Sequence, residues 1–128
     1  QVRNQMAIGC DWFPTIATYC GAQLPAQQYD GKSLTDVIAS GEAESPHDHL
    51  FWLLGNPKNG QWAVRQGPWK LLGNAKDRGV PKNAPQVDKL FLANLDISQG
   101  EAKNLKSQHP EVVAKLQAIR DKHVADMR

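Results

Sequence analysis

Side chains able to bind a metal, move a proton or attack a substrate are few and scattered in this chain of 128 residues. The tightest group is His47-Asp48-His49, and histidines two apart on a strand would point to the same side. A metal centre needs a third and a fourth ligand, and no spacing in the sequence nominates them. The group therefore reads as a solvated junction between a loop and a strand. His109 is explained by its place at a helix start, and His123 by the exposed end of that helix. Cys10 and Cys20 make neither a CxxC pair nor a disulfide framework. A bridge between them across about ten helical residues would have to span roughly 15 Å, so both read as buried apolar groups. No nucleophile elbow, phosphate loop, GxGxxG or HExxH occurs, and no serine sits beside a base. Asp30 before Gly31 is local turn chemistry. No catalytic residue and no metal ligand is assigned, and as an isolated enzyme the chain is unequipped.

Four tryptophans, Trp12, Trp52, Trp62 and Trp69, could form a carbohydrate-stacking platform or fill a core. Trp12 sits on an apolar helix face and Trp52 in an apolar strand, so these two are expected in the core; Trp62 and Trp69 are open to either reading. With 41% hydrophobic and 22% charged residues, disorder is not the expectation. The net charge of +2 comes from interspersed signs. With no run of like charge, neither nucleic acid nor an anionic membrane is an expected partner. The apolar run from Leu50 to Gly55 is far below a membrane span. The first residues, Gln1-Val2-Arg3-Asn4-Gln5, show no starter Met and no signal-like pattern, so either a signal has been removed or the chain begins mid-protein.

The elements that must position these residues follow from periodicity and punctuation. Asp11 as N-cap, Pro14 in the first turn and Gly21 as the stop frame a helix over 12–20. Ser33-Leu34-Thr35-Asp36 resembles a capping box, with a two-turn helix over 34–39 closed by Gly41. Loops with Pro25 and Pro46 follow each helix. Strands are expected at 49–54, 61–65, 69–72 and 89–95, separated by the breaker-rich turn 55–60, the tight turn Gly67-Pro68 and the polar loop 74–88. Such spacing implies an antiparallel meander. Pro110 and Glu111 open a last helix, and Val112, Val113, Leu116, Ile119 and Val124 form its apolar stripe through residue 126. The fold class is α+β: a small antiparallel sheet of about four strands against a long C-terminal helix, preceded by short helices.

Five segments, in order, carry a resemblance. Asp11-Trp12-Phe13-Pro14-Thr15 resembles the D-x-x-P-T helix of sulfatases, and Asp30-Gly31-Lys32-Ser33-Leu34 their DG-x-S-L segment. Phe51-Trp52 with Ala63-Val64-Arg65-Gln66-Gly67-Pro68-Trp69-Lys70-Leu71 is similar to their FW … AVR-x-G-x-WKL hairpin. Leu90 to Asp96 followed by Glu101 to Leu105 resembles L-Y-D-L-x-x-D-x-x-E-x-x-N-L. His109-Pro110-Glu111-Val112-Val113 is similar to the start of their last helix. Each segment alone is weak, and their common order over nearly the whole chain gives the resemblance its weight.

The resemblance implies an alkaline-phosphatase-like enzyme in which a formylglycine, made in a C/S-x-P-x-R motif, attacks sulfate beside a calcium ion. Neither Cys10-Asp11-Trp12-Phe13-Pro14 nor Cys20-Gly21-Ala22-Gln23-Leu24 matches that motif, so formylglycine and calcium are implied for an N-terminal part outside this chain. Residues 1–44 would then end the large domain and 45–128 form the C-terminal subdomain. Asp11, Pro14, Thr15, Asp30, Gly31, Arg65, Gly67, Trp69 and Lys70 are given structural roles, with Arg65 and Lys70 expected to pair with carboxylates such as Asp96 or Glu101. Lys76, Arg78 and Lys82, in the loop that the resemblance brings near the pocket mouth, are candidates to bind an anionic sulfate ester. The implied partners are the N-terminal sulfatase domain and a sulfated small molecule or glycan, with self-association through the helix at 12–20 as a further expectation. Family members are commonly exported, which implies a periplasmic or secreted location. The competing reading is a stand-alone, non-catalytic binding or interaction module derived from the sulfatase C-terminal domain.

Overall fold

The computed structural model describes residues 2–75, 88–97, 100–101 and 103–127. They fall into two compact units, Gln1–Asp48 and His49–Arg128.

In the first unit a single 3₁₀ turn, Gly9–Asp11, runs directly into helix α1, Trp12–Tyr19. Pro14 lies inside the first turn, where its missing N–H loses no helical bond. The C-terminal end is a Schellman arrangement: Ala22 N–H donates to Ala17 O at 2.9 Å and Gly21 N–H to Thr18 O at 3.2 Å, with Gly21 at φ +62°. Helix α2, Thr35–Ala39, is one residue shorter than the sequence suggests. Leu34 at its N-cap supplies no side-chain cap, although Ser33 Oγ accepts Thr35 N–H at 3.4 Å, and Ser40 in extended conformation, not Gly41, ends it. Its free carbonyls are met from far along the chain, because Arg3 Nε donates to Val37 O at 2.8 Å and Arg3 Nη2 to Ile38 O. A cation on the last carbonyls of a helix also suits its dipole.

The second unit is the antiparallel meander, with strands β1 Leu50–Leu54, β2 Gln61–Gln66, β3 Trp69–Gly73 and β4 Leu90–Asn94 in the order β1-β2-β3-β4. Register is fixed by the tight turn at Gly67-Pro68, since Gln66 pairs with Trp69 across a two-residue loop. Gly67 at φ +55° followed by proline is the backbone that a two-residue hairpin needs. The same-face residues Trp62 and Val64 of β2, Leu71 of β3 and Leu92 of β4 line up by this register and form the core with Leu105 and Leu116. Helix α3, Pro110–Asp126, closes that face: Leu116 is buried, and Val112, Val113 and Ile119 pack around it. The expected stripe and the observed packing coincide because a 3.6-residue period leaves α3 one way to bury its apolar side.

Strand β4 ends the meander, and an unpaired edge invites association. Asn104 covers it. Its Oδ1 accepts Leu92 N–H at 3.1 Å, its Nδ2 donates to Leu90 O at 3.0 Å, and Leu105 N–H donates to Leu92 O at 2.8 Å. An Asn104→Ala substitution strips two strand groups of their partners, and the expected loss is about 1–3 kcal/mol. Amide exchange at Leu92 should accelerate by more than tenfold, whereas unchanged exchange there would show that Asn104 is not the cover.

Candidate functional site

The most elaborate polar site lies in the first unit, around Asp11. The sequence suggests an N-cap, yet the Asp11 side chain caps nothing in α1. It is fully buried, and its carboxylate accepts Ile8 N–H on Oδ2 at 2.8 Å, Lys32 N–H on Oδ1 at 2.9 Å and His47 Nε2 at 2.8 Å. Thr15, also fully buried, donates through Oγ1 to Asp11 O at 2.6 Å and accepts Leu34 N–H at 2.8 Å. These two side chains therefore tie α1 to the Gly31–Leu34 segment and to His47. Gly31 is part of the same arrangement, because a Cβ there would stand 2.2 Å from Cys10 O. Asp30 lies exposed at the bend beside it.

Burial alone would raise the Asp11 pKa. The two backbone N–H donors and the hydrogen-bonded, attracting His47 outweigh it, and the carboxyl is held below its usual range. Asp11, Thr15 and His47 are all closed to solvent. The chemistry of this node is that of a clasp.

In the second unit the β2–β3 turn gathers the other motif residues. Lys70 Nζ pairs with Glu101 Oε1 at 2.5 Å, as the sequence suggests. Arg65 does not reach a carboxylate among the described residues; its Nε donates to Gly67 O at 3.1 Å, bracing the turn from within. Trp69 packs against the core and meets the His109 ring at 4.7 Å between centroids. Lys76, Arg78 and Lys82 lie outside the described residues.

Four expectations are corrected. His47 is no solvated loop residue but the buried partner of Asp11. His123 is not free at a helix end: it meets His49 at 2.8 Å between Nε2 atoms and stacks on Phe51. Cys10 and Cys20 are exposed, not buried. Trp12 and Trp52 are exposed as well, whereas Trp62, left open by the sequence, is the buried one, its indole lying against Gly73. On α1 the residues turned inward are Pro14 and Thr15, while Trp12, Phe13, Ile16 and Tyr19 are each more than half exposed. The helix thus shows its apolar side to solvent. Among the described residues no group of three or more His, Cys, Asp or Glu could hold a metal ion. None of their helices is long and apolar enough to cross a membrane.

No family model matches the chain. Over 71 residues it is 37% identical to arylsulfatase A of Bos taurus, spanning 54% of this chain and 14% of that protein. An arylsulfatase of Hemicentrotus pulcherrimus is 37% identical over 70 residues, and arylsulfatase A of Homo sapiens 35% over 71. The fold recurs, at a TM-score of 0.68 and 21% identity, in Ps i-CgsB solved with k-i-k-neocarrahexaose, over 92% of this chain and 24% of that one. In sequence the chain is similar to arylsulfatases over about half of its length, and its fold recurs as part of larger solved chains. The chain also superposes, at a TM-score of 0.62 and 16% identity, on a protein solved with its substrate D-glucosamine-2-N,6-O-disulfate, over 88% of its own length and 23% of that chain. It spans only 12–14% of the length of these curated relatives. Of the motif residues, Asp11, Thr15 and Gly31 form one packed node, and Arg65, Gly67, Trp69 and Lys70 one hairpin turn. His47 and Asn104, which complete the clasp and the sheet edge, were missed as site residues. Asn104 stood in a matched segment, but nothing local marked either residue's distant partner.

Proposed function

We propose that this chain is the C-terminal part of a longer enzyme that hydrolyses sulfate esters, with the chemistry carried by residues outside it. The observation that carries this reading is the 37% identity to arylsulfatase A, in a chain that spans only 14% of that protein. The outward apolar side of α1 supports it, since a contiguous exposed patch of large side chains marks a surface made to be covered. On this reading residues 1–44 complete the large catalytic domain and 45–128 form the small one. The rest of the polypeptide covers Trp12, Phe13, Ile16 and Tyr19.

The described residues do not fit the family's formylglycine and calcium. Cys10 is followed by Asp11-Trp12-Phe13 and Cys20 by Gly21-Ala22-Gln23, neither giving the x-P-x-R continuation that the modification needs. Both groups are assigned to the remainder of the protein. A sulfated glycan or aryl sulfate is the proposed substrate class, export the proposed route, and Lys76, Arg78 and Lys82 the contribution of this part to sulfate binding.

An antibody raised to this segment should detect, in extract of the source organism, a polypeptide several-fold heavier than 14.2 kDa. Once purified, that polypeptide should release inorganic sulfate from a sulfate ester. Replacing Lys76, Arg78 and Lys82 together by Ala in it should raise KM about tenfold with kcat little changed, as expected for lost attraction of an anion. An unchanged KM removes the loop from the proposal. A band near 14.2 kDa overturns the whole reading in favour of a stand-alone binding module, and self-association of that species would give α1 a copy of itself as partner.

A further inference from the structure

We propose that Asn59 is a site of spontaneous covalent modification, a deamidation that the anchors of the β1–β2 turn prevent until that turn opens. Asn59 is exposed in the loop between β1 and β2, and Gly60 follows it. The chemistry requires a side-chain amide next to a backbone N–H that no Cβ shields, and only glycine offers that. The Gly60 nitrogen loses its proton and attacks Asn59 Cγ. A C–N bond forms, and the side-chain nitrogen leaves as ammonia with that proton. Water then opens the five-membered imide. Opening at Cγ gives aspartate. Opening at the main-chain carbonyl gives isoaspartate, whose backbone runs through Cγ and is one methylene longer. Either product puts a carboxylate where a neutral amide stood and lowers the net charge of +2 by one.

In the closed turn the attack is blocked. Gly60 N–H donates to Asn56 O at 2.5 Å, and Asn59 N–H donates to the same oxygen at 3.2 Å. An amide held in this way neither loses its proton readily nor turns toward the neighbouring side chain. Three more bonds keep the loop in that form. Lys58 N–H donates to Asn56 Oδ1 at 2.7 Å, Asn74 Nδ2 to Gly60 O at 3.2 Å, and Arg120 Nη2 to Pro57 O at 2.8 Å. The last two come from the residue after β3 and from α3, so elements remote in sequence pin the turn. A surface turn still opens far more often than the core of its unit, and each opening exposes the Gly60 nitrogen.

The close fit of Gly60 makes the isoaspartate product one-way. A Cβ built on Gly60 would stand 2.5 Å from Asn56 O and 2.6 Å from Leu54 O, so its backbone is pressed between two carbonyls. A main chain lengthened by one methylene just before Gly60 cannot keep that fit and the bond to Asn56 O together. Isoaspartate therefore leaves the turn open beside the Leu54–Gln61 pair that ends the ladder. Aspartate keeps the backbone length and lets the turn close again.

The test follows residue 59 in the intact protein held in mildly alkaline buffer. Mass spectrometry of proteolytic peptides reads acid against amide, and enzymatic methylation specific for isoaspartate reads the longer product. Conversion should run roughly tenfold to a hundredfold slower in the folded protein than in urea, the worth of one to two hydrogen bonds. Arg120→Ala and Asn74→Gly each remove one anchor, glycine being at ease at the Asn74 φ of +52°. Each should raise the folded rate up to about tenfold and leave the rate in urea unchanged. Amide protection at Val64 and Leu71 should hold in both variants, which separates a loosened turn from an unfolded sheet. Equal rates with and without urea, no faster conversion in either variant, or a faster one only where protection at Val64 and Leu71 is lost would overturn the gate. No acid at residue 59 in urea, or none in the folded protein over many unfolded half-lives, would overturn the site. These readouts need no sulfate ester, so they stand or fall apart from the proposed activity.

Discussion

Replacing Asp11 by Ala is expected to destabilise the first unit by about 3–5 kcal/mol, because three buried donors lose their acceptor at once. The carboxylate is wholly buried and serves three donors at once, Ile8 N–H, Lys32 N–H and His47 Nε2. Alanine leaves two backbone amides and an imidazole without an acceptor, and each costs more unpaired than it gained when paired. Asn keeps one acceptor oxygen and should lose less. The two units need not unfold together, so a single midpoint is the wrong readout. Amide exchange at Lys32 and Leu34 should accelerate by two orders of magnitude or more, with Val64 and Leu71 unaffected. Equal protection at Lys32 in the Ala variant would rule out the clasp.

The same carboxylate sets an acid limit. Because the folded pKa of Asp11 lies below its unfolded value of about 3.9, its contribution is fully present above that value. The contribution is lost as pH falls through the folded pKa. The first unit should therefore open in strong acid, and Asp11→Asn should flatten that dependence.

How far the sequence foretold these sites depends on how far apart their members lie. The four strands and α3 were legible because period-2 and period-3.6 patterns, turn residues and Pro110 act over a few positions. The register itself is read from the structure, where the Gly67-Pro68 turn pairs Gln66 with Trp69. The clasp was not legible in full. Asp11 stands where an N-cap would stand, and its partners Lys32 and His47 lie 21 and 36 residues further on. His47 sits between Pro46 and Asp48, a local composition that reads as solvated loop. Asn104 covers β4 from twelve residues away.

The tryptophans fail for a different reason. Periodicity shows which side of α1 is apolar, and it does so correctly; it does not say that the packing partner is present in these 128 residues. The large side chains of α1 face outward, while Trp62 is buried because α3 and β3 are both at hand.

Leu71→Ala is expected to cost about 3–5 kcal/mol in the second unit, and Trp52→Ala well under 1 kcal/mol, although tryptophan is the larger side chain. Leu71 is fully buried at the middle of β3, between Val64 of β2 and Leu92 of β4, both also fully buried. Truncation removes apolar area from the core and leaves a hole that three-sided packing cannot close, because Val64 and Leu92 are held in register by the strand ladders. Leu71→Met, which nearly conserves volume, should cost less than about 1.5 kcal/mol. Trp52 lies on the opposite side of β1 from Phe51 and Leu53, away from the core cluster, and stays more than a third exposed. Amide exchange at Val64 and Leu92 reports the cost for each variant. If Trp52→Ala proves as damaging as Leu71→Ala, the second face of the sheet carries packing that stabilises the unit, and the core does not lie on the α3 side alone.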